Sequence, residues 1–322
     1  MPTNFNIAGT GAATPELTVS NDDLAQIVAT DDEWIVARTG ISTRRILSGE
    51  TLTELAVRAA RRALERAGVA PDELDLIIGA TTKHDYQVPA LACVVQAELD
   101  APGAPAFDVN FGCTGFIGAL DVAARFFATG GVRRAALIIC AEALSRYVDW
   151  TDRATCVLFG DGAAAVVLTP GESLLGAYIH AQGNPEPLHA LAPLGNSPYC
   201  QREAQHPFIE MNGREVFKFA VTNLCGDVTT VLERAHIDPR QVDLFLVHQA
   251  NKRIIEAARE RLGQPPEKFP TNIERYGNTS AVSIPLLLDE LARAGQIKSG
   301  ALLVCAAFGA GLISGAALLR WE

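Results

Sequence analysis

Three residues, Cys113, His248 and Asn278, are of types that can do chemistry and stand at the ends of predicted elements. Cys113 lies in Phe111-Gly112-Cys113-Thr114-Gly115, directly before an apolar, helix-length run. A cysteine there feels the positive end of a helix dipole and unpaired N–H groups, and both lower its pKa toward the thiolate. Cys113 is therefore read as a nucleophile, with Gly112 and Gly115 leaving room for a substrate. Cys140 and Cys305 sit inside strand-like runs and read as small buried residues. His248 follows the apolar run Leu244-Phe245-Leu246-Val247, and a polar ring at the end of a buried strand needs a partner. Asn278, in Tyr276-Gly277-Asn278-Thr279-Ser280, also reads as a helix cap. Phe159-Gly160-Asp161-Gly162 and Phe308-Gly309-Ala310-Gly311 match no phosphate-binding loop. They read as tight turns between buried strands, and the second also offers a backbone N–H to an oxyanion.

An internal duplication positions these residues. ALERAGVAPDELDLIIGA begins at residue 63 and VLERAHIDPRQVDLFLVH at 231, an offset of 168. Each copy ends a helix, turns at a proline and enters an apolar strand, and His248 falls opposite Ala80. A second pairing sets Cys113 against Asn278 at an offset of 165, each before a helix-length run, a glycine and a strand. Two similar α/β halves follow, residues 1–170 with Cys113 and 171–322 with His248 and Asn278. Their apolar strands alternate with helical periods and predict buried sheets covered by helices. Thr51 and Glu54 have capping-box spacing at the start of a helix from Leu52 to Ala67. If a pseudo-twofold axis relates the halves, strand ends and helix starts from both converge on one site.

Composition sets the limits. The chain has 322 residues, 48% hydrophobic and 20% charged, which fits a large packed core and excludes disorder. A net charge of −10 argues against nucleic acid as a partner. Cys93, Cys113, Cys140, Cys156, Cys200, Cys225 and Cys305 form no CxxC pair, so neither a zinc site nor a disulfide framework is expected, and a reduced, cytoplasmic setting is. No signal peptide is read at the start. The apolar run from Ala301 to Leu319 is broken by Gly309, Gly311 and Gly315 and reads as two strands joined by a turn, with no membrane span.

Taken in order, these segments resemble β-ketoacyl-acyl-carrier-protein synthase III, of the thiolase-fold superfamily, along essentially the whole chain. The matching stretches are Asp32-Glu33-Trp34-Ile35 with Arg38-Thr39-Gly40, Phe107-Asp108 leading to Cys113, Thr151-Asp152-Arg153, Phe159 to Ala163, His248-Gln249-Ala250-Asn251, and Gly277 to Ser280. The resemblance implies an α/β thiolase-like fold, two pseudo-twofold-related halves in an α-β-α-β-α sandwich, and a homodimer. It implies that Cys113 accepts an acyl group from acyl-CoA while the N–H groups of Cys113 and Ala310 hold the oxyanion. His248 and Asn278 would then stabilise the enolate of a malonyl-acyl-carrier protein as it loses carbon dioxide. CoA thioesters and the phosphopantetheine carrier enter as substrates, with no metal or resident cofactor.

The resemblance also implies that Trp34 and Arg153 sandwich the CoA adenine, with Arg38 near the phosphates and Asn251 on the pantetheine arm. Lys218, Lys252, Arg253, Arg259 and Arg261 form the patch expected to receive an acidic carrier protein. The chain departs from the family pattern at Thr114, and Ala310 interrupts the usual glycine run. Val88 stands where some acetyl-specific members carry phenylalanine, which predicts a pocket for longer or branched primers. Alternatives are a related enzyme of specialised metabolism with another primer or malonyl carrier, and a Cys-His-Asn hydrolase of the papain kind. Carrier-protein binding without catalysis is a third.

Overall fold

A computed structural model describes residues 4–192, 195, 197–199 and 208–322; Cys200 lies outside them. The first half forms a five-stranded sheet from β1 (Asn4–Ala13), β2 (Leu74–Ala80), β3 (Ala106–Val109), β4 (Ala135–Ala143) and β5 (Asp161–Gly171), ordered β1-β5-β4-β2-β3. Its helices are α1 (Leu52–Ala67), α2 (Leu91–Leu99) and α3 (Gly115–Ala128). The second half repeats the arrangement. Strands β6 (Leu174–Ala181), β7 (Leu244–Val247), β8 (Leu302–Gly309) and β9 (Ile313–Arg320) lie in the order β6-β9-β8-β7, with helices α4 (Gly213–Arg234), α5 (Lys252–Arg261) and α6 (Ser283–Arg293). Among the described residues this second sheet has no counterpart of β3. The chain crosses from one sheet to the other between Gly171 and Leu174.

The layers follow from the residue pattern. Strands such as β4, AALIICAEA, are buried along their whole length because both faces are covered. One core joins both sheets to α3 and α6 between them, and includes Ile138, Leu120, Leu287 and Cys305. A second core lies under α1 and α2, and a third under α4 and α5. The result is the expected α-β-α-β-α sandwich. Because the central core draws on both halves, neither half has its full core without the other.

Local signals set the boundaries. At the start of α1, Thr51 Oγ1 accepts the Glu54 N–H at 3.1 Å, and the Glu54 carboxylate accepts the Thr51 N–H at 2.7 Å. Gly68, at φ +63°, ends the helix. Small residues bring α1 onto β1: a Cβ on Gly11 would lie 2.2 Å from the Ala59 carbonyl oxygen. The apolar run from residue 301 to 319 folds as the antiparallel pair β8 and β9. Among the described residues no helix is long and apolar enough to cross a membrane.

The repeat keeps one register through the site. Gly112–Thr114 and Ser280–Val282 form matching 3-10 turns, and α3 and α6 start at 115 and 283, so the offset is 168 here as well. The 165-residue alignment of Cys113 with Asn278 is corrected accordingly. Cys113 corresponds to Ala281, and Asn278 to Asn110. The short motifs look alike, but each half presents a different residue of the same turn.

Candidate active site

Cys113 sits in the turn that feeds α3. Gly112 adopts φ +53°, where a side chain would be strained, and its Cα faces the backbone of Ala310. Strand β8 ends against the cysteine: a Cβ on Gly309 would fall 2.7 Å from the Cys113 nitrogen. That glycine is what lets the 309–311 turn approach the nucleophile. The turn is tied in place on its far side, where Asn184 N–H donates to the Gly311 carbonyl at 2.9 Å. The thiol does not behave as its position at a helix start predicts. Burial pushes Cys113 up to about 11, with the Glu142 charge adding to the rise and the Ser280 hydroxyl working against it. Desolvation of the thiolate dominates, so the resting group is a thiol.

His248 continues from β7, and its N–H donates to the Ala306 carbonyl at 2.9 Å. Its Nδ1 lies 2.8 Å from Ser283 Oγ, at the first residue of α6. The same oxygen accepts the Gln249 N–H at 3.3 Å and keeps its own hydrogen to donate. With that hydrogen directed to Nδ1, the imidazole proton sits on Nε2. Burial lowers His248 to about 3, so the ring is neutral. Sequence reasoning did not single out Ser283.

Asn278 is placed by a close crossing of two glycine-bearing segments. Its N–H donates to the Leu158 carbonyl at 2.8 Å, and Gly160 N–H donates back to the Asn278 carbonyl at 3.0 Å. A Cβ on Gly160 would meet the Tyr276 oxygen at 2.2 Å. Phe159-Gly160-Asp161-Gly162 is thus more than a turn between strands, because it pairs with the asparagine's own segment. Arg44, fully buried, donates to the Val157 carbonyl at 2.9 Å and to Asn21 Oδ1 at 2.8 Å, holding this crossing from below. Asn278 Oδ1 accepts the Ser280 N–H at 2.9 Å, so the group left to donate is Nδ2.

Cys113, His248, Asn278 and Ala310 line one cavity of about 690 Å³, whose walls are mainly apolar. Ser280 lines it too, with Oγ 3.3 Å from Cys113 Sγ and 3.3 Å from Glu142 Oε1. Glu142 is fully buried on β4, and burial raises it to about 8. Neither residue was singled out as functional from sequence. The available signal was Glu142 itself, a charge inside the run Ala135–Ala143.

Around the mouth the expectations divide. The guanidinium groups of Arg153 and Arg38 lie 4.5 and 4.9 Å from the Trp34 ring centre. Asn251 lines the cavity, while its Oδ1 accepts the Arg253 N–H at 2.9 Å and its Nδ2 donates to the Arg38 carbonyl at 3.1 Å. It therefore caps α5 and ties that helix to the Trp34-bearing segment. Arg253 lines the cavity, Lys252 shares an adjoining cleft with it, and Lys218 is exposed. Arg259 is paired with Glu256 at 2.8 Å and Glu260 at 3.4 Å, which offsets its charge. Arg261 is eight residues beyond Arg253, about 12 Å along the helix. Val88 is 81% exposed and does not line the cavity of its own chain.

Comparison with known proteins gives the same picture over the whole length. Residues 107–183 match the family model for 3-oxoacyl-[acyl-carrier-protein] synthase III, and residues 232–321 match the model for its C-terminal part. The chain is 47% identical to beta-ketoacyl-[acyl-carrier-protein] synthase III of Thioalkalivibrio sulfidiphilus, over 99% of this chain and 100% of that protein. It is 44% identical to the protein of that name from Clostridium acetobutylicum, over 99% of each. The crystal structure of 3-oxoacyl-[acyl-carrier-protein] synthase III from Aquifex aeolicus superposes with a TM-score of 0.92 at 46% identity, covering 99% of this chain and 100% of the other. With relatives this similar from end to end, and a cavity that gathers Cys113 with His248 and Asn278, the chain belongs to the β-ketoacyl-acyl-carrier-protein synthase III family.

Proposed function

We propose that the protein condenses an acyl-CoA primer with malonyl-acyl-carrier protein, giving a β-ketoacyl-carrier protein, CoA and carbon dioxide, the step that initiates fatty acid synthesis. The observation that carries this reading is a thiol sharing one cavity with a neutral His248 and with Asn278, which the reaction uses as Nε2–H and Nδ2–H donors. Cys113 sulfur attacks the primer carbonyl, the backbone N–H groups of Cys113 and Ala310 take the oxyanion, and CoA leaves. The malonyl thioester oxygen then lies between the two donors. As carbon dioxide departs, the electron pair left behind becomes an enolate that they stabilise, and its carbon attacks the acyl-cysteine. A hydrolase of the papain kind needs its histidine to accept a proton at the nitrogen facing the cysteine. The Ser283 hydrogen bond and burial both favour a histidine that donates instead.

We read Trp34, Arg38 and Arg153 as the CoA nucleotide site, since their stacked faces suit an adenine and their charges a phosphate. Lys218, Lys252 and Arg253 make the entrance for the acidic carrier, with Arg259 and Arg261 at its edge. Exposed Tyr86 and Val88 support a homodimer. The reaction uses no metal or resident cofactor, and we place it in the cytoplasm. The test is the mass of the carrier-bound product after incubation with malonyl-carrier protein and a panel of acyl-CoAs. A β-ketoacyl product that disappears in Cys113→Ser supports the condensation. Free acid alone would overturn it.

A further inference from the structure

The reading above leaves the Cys113 proton without a destination. In that reading His248 is a neutral donor with its proton on Nε2, and burial keeps the cysteine in the thiol form. Ser280 Oγ stands between two groups, 3.3 Å from Cys113 Sγ and 3.3 Å from Glu142 Oε1, and one hydroxyl hydrogen cannot serve both at once. Ser280 adopts φ +53°, a backbone conformation that costs a residue with a side chain, and it projects the hydroxyl between sulfur and carboxylate. Glu142 Oε2 accepts Thr82 Oγ1–H at 2.6 Å, and the Thr82 N–H is shared between Oε1 at 3.2 Å and Oε2 at 3.3 Å, so Oε1 carries the weaker load and also faces Ser280.

We propose that Ser280 and Glu142 form a proton path that takes the Cys113 proton as sulfur attacks and returns it when sulfur leaves. The inference rests on Cys113 being the nucleophile. Cys113 S–H gives its proton to Ser280 Oγ, and the Ser280 hydrogen passes to Glu142 Oε1. The carboxylate becomes a carboxylic acid and the thiol a thiolate that accepts from Ser280. One negative charge moves from oxygen to sulfur, and none is created in the buried site. The new S–C bond forms as the C–S bond to CoA breaks, and the departing CoA thiolate takes its proton from solvent. After condensation the Cys113 thiolate leaves the tetrahedral intermediate and the proton runs back from Glu142. Ser280 touches the reacting sulfur and is catalytic; Glu142 acts through it and is a positioning residue.

The charge environment suits this role. The titratable groups facing Glu142 are Asp161, Cys113, Cys140 and Tyr147, all acids. Burial, with the Asp161 charge adding to it and the Thr82 and Ser280 hydrogen bonds opposing it, holds Glu142 at about 8 rather than the ordinary 4.5, so the accepting carboxylate forms as pH rises through 8. Accepting the Thr82 hydrogen bonds alone would not require a charge, because a glutamine oxygen serves that purpose.

The test follows Cys113 alkylation by iodoacetamide, read as the mass of the Cys113 peptide, and acyl-enzyme formation from acyl-CoA. Both are measured from pH 5 to 10 in wild type, Glu142→Gln, Ser280→Ala and the double variant, with melting temperatures alongside. Ser280→Gly, which suits the positive φ, replaces Ser280→Ala if that variant fails to fold. Both single variants are expected to react about 100-fold more slowly at pH 9, where Glu142 is ionised, the low end of general acid–base contributions. The double variant should be no slower than the slower single. Glu142→Gln should lose the acid limb set by the carboxylate and follow simple thiol ionisation. Faster reaction of Glu142→Gln at pH 9 would overturn the proposal, because the ionised Glu142 would then be only a charge that opposes the thiolate. An unchanged profile shape would overturn it equally. If wild-type Cys113 alkylates as expected but takes no acyl group from acyl-CoA, the condensing reading fails and the proton path stands.

Discussion

Ser283→Ala separates the two half-reactions. The substitution removes the hydroxyl 2.8 Å from His248 Nδ1 and deprives the Gln249 N–H of an acceptor at 3.3 Å. Leaving one buried polar atom unpaired costs about 1–3 kcal/mol. Loss of a donor to a developing oxyanion costs about 10²–10³-fold in rate. Ser283 does not touch that oxygen but keeps the proton on the nitrogen that does, so the expected loss is smaller, about 10-fold, or roughly 1.4 kcal/mol. It should fall on decarboxylation and condensation, measured as carbon dioxide release from malonyl-carrier protein. Acyl transfer to Cys113, measured as the burst of released CoA, should change by less than about 2-fold, since His248 takes no proton there. Nitrogen NMR of the imidazole gives an independent reading, with wild type showing the Nε2–H form and the variant a mixture. Because burial holds His248 down at about 3, the condensation rate should show no acid limb near 6.5. Equal losses in both half-reactions, or a wild-type limb near 6.5, would refute the assignment of His248 as a neutral donor.

Three further outcomes follow from the same geometry. Glu142 is raised from 4.5 to about 8, so its contribution to stability is full below pH 4.5 and is lost as pH rises through 8. Glu142→Gln cannot ionise; its melting temperature relative to wild type should climb between pH 5 and 9, by the equivalent of about 4 kcal/mol at the alkaline end. Gly309→Ala places a methyl 2.7 Å from the Cys113 nitrogen, and should cost about 1–3 kcal/mol of stability and nearly all acyl transfer, seen by denaturant melts and CoA release. Arg253→Glu, at the cavity mouth, should raise KM for malonyl-carrier protein several-fold and weaken its salt dependence, while KM for acyl-CoA changes less and kcat stays near wild type.

How much of this was legible in the sequence depends on the range of the physics involved. The halves and their apolar strands are periodic, local features, and the duplicated helix-turn-strand showed them. Cys113, His248 and Asn278 each sit at the end of such an element, so their candidacy needed only spacing. The direction of the Cys113 pKa shift needed more. A helix dipole can be read from a motif, but desolvation depends on what packs around the turn, and here it includes Gly309 from strand β8, nearly two hundred residues away. The register of Asn278 failed for a similar reason. Similar letters suggested an offset of 165, whereas the two 3-10 turns that open onto the site keep 168.

Ser280, Ser283 and Glu142 were hidden for a different reason. Serines near a helix start are ordinary caps, and nothing in Asn278-Thr279-Ser280 tells which hydroxyl turns inward; Ser280 does so because its φ is +53°. Glu142 offered a clue, since a carboxylate within an otherwise apolar strand must find partners or change its protonation. The partners it found are Thr82 and Ser280, one from each half of the molecule. That pairing has a consequence for the fold as well as the chemistry. The duplication gave both halves the same turn before the same helix, and the first now presents the thiol while the second presents the hydroxyl and amide that serve it. The two α3-like turns thus diverged into complementary roles, and the central core that locks α3 against α6 is what keeps Ser280 within 3.3 Å of the sulfur.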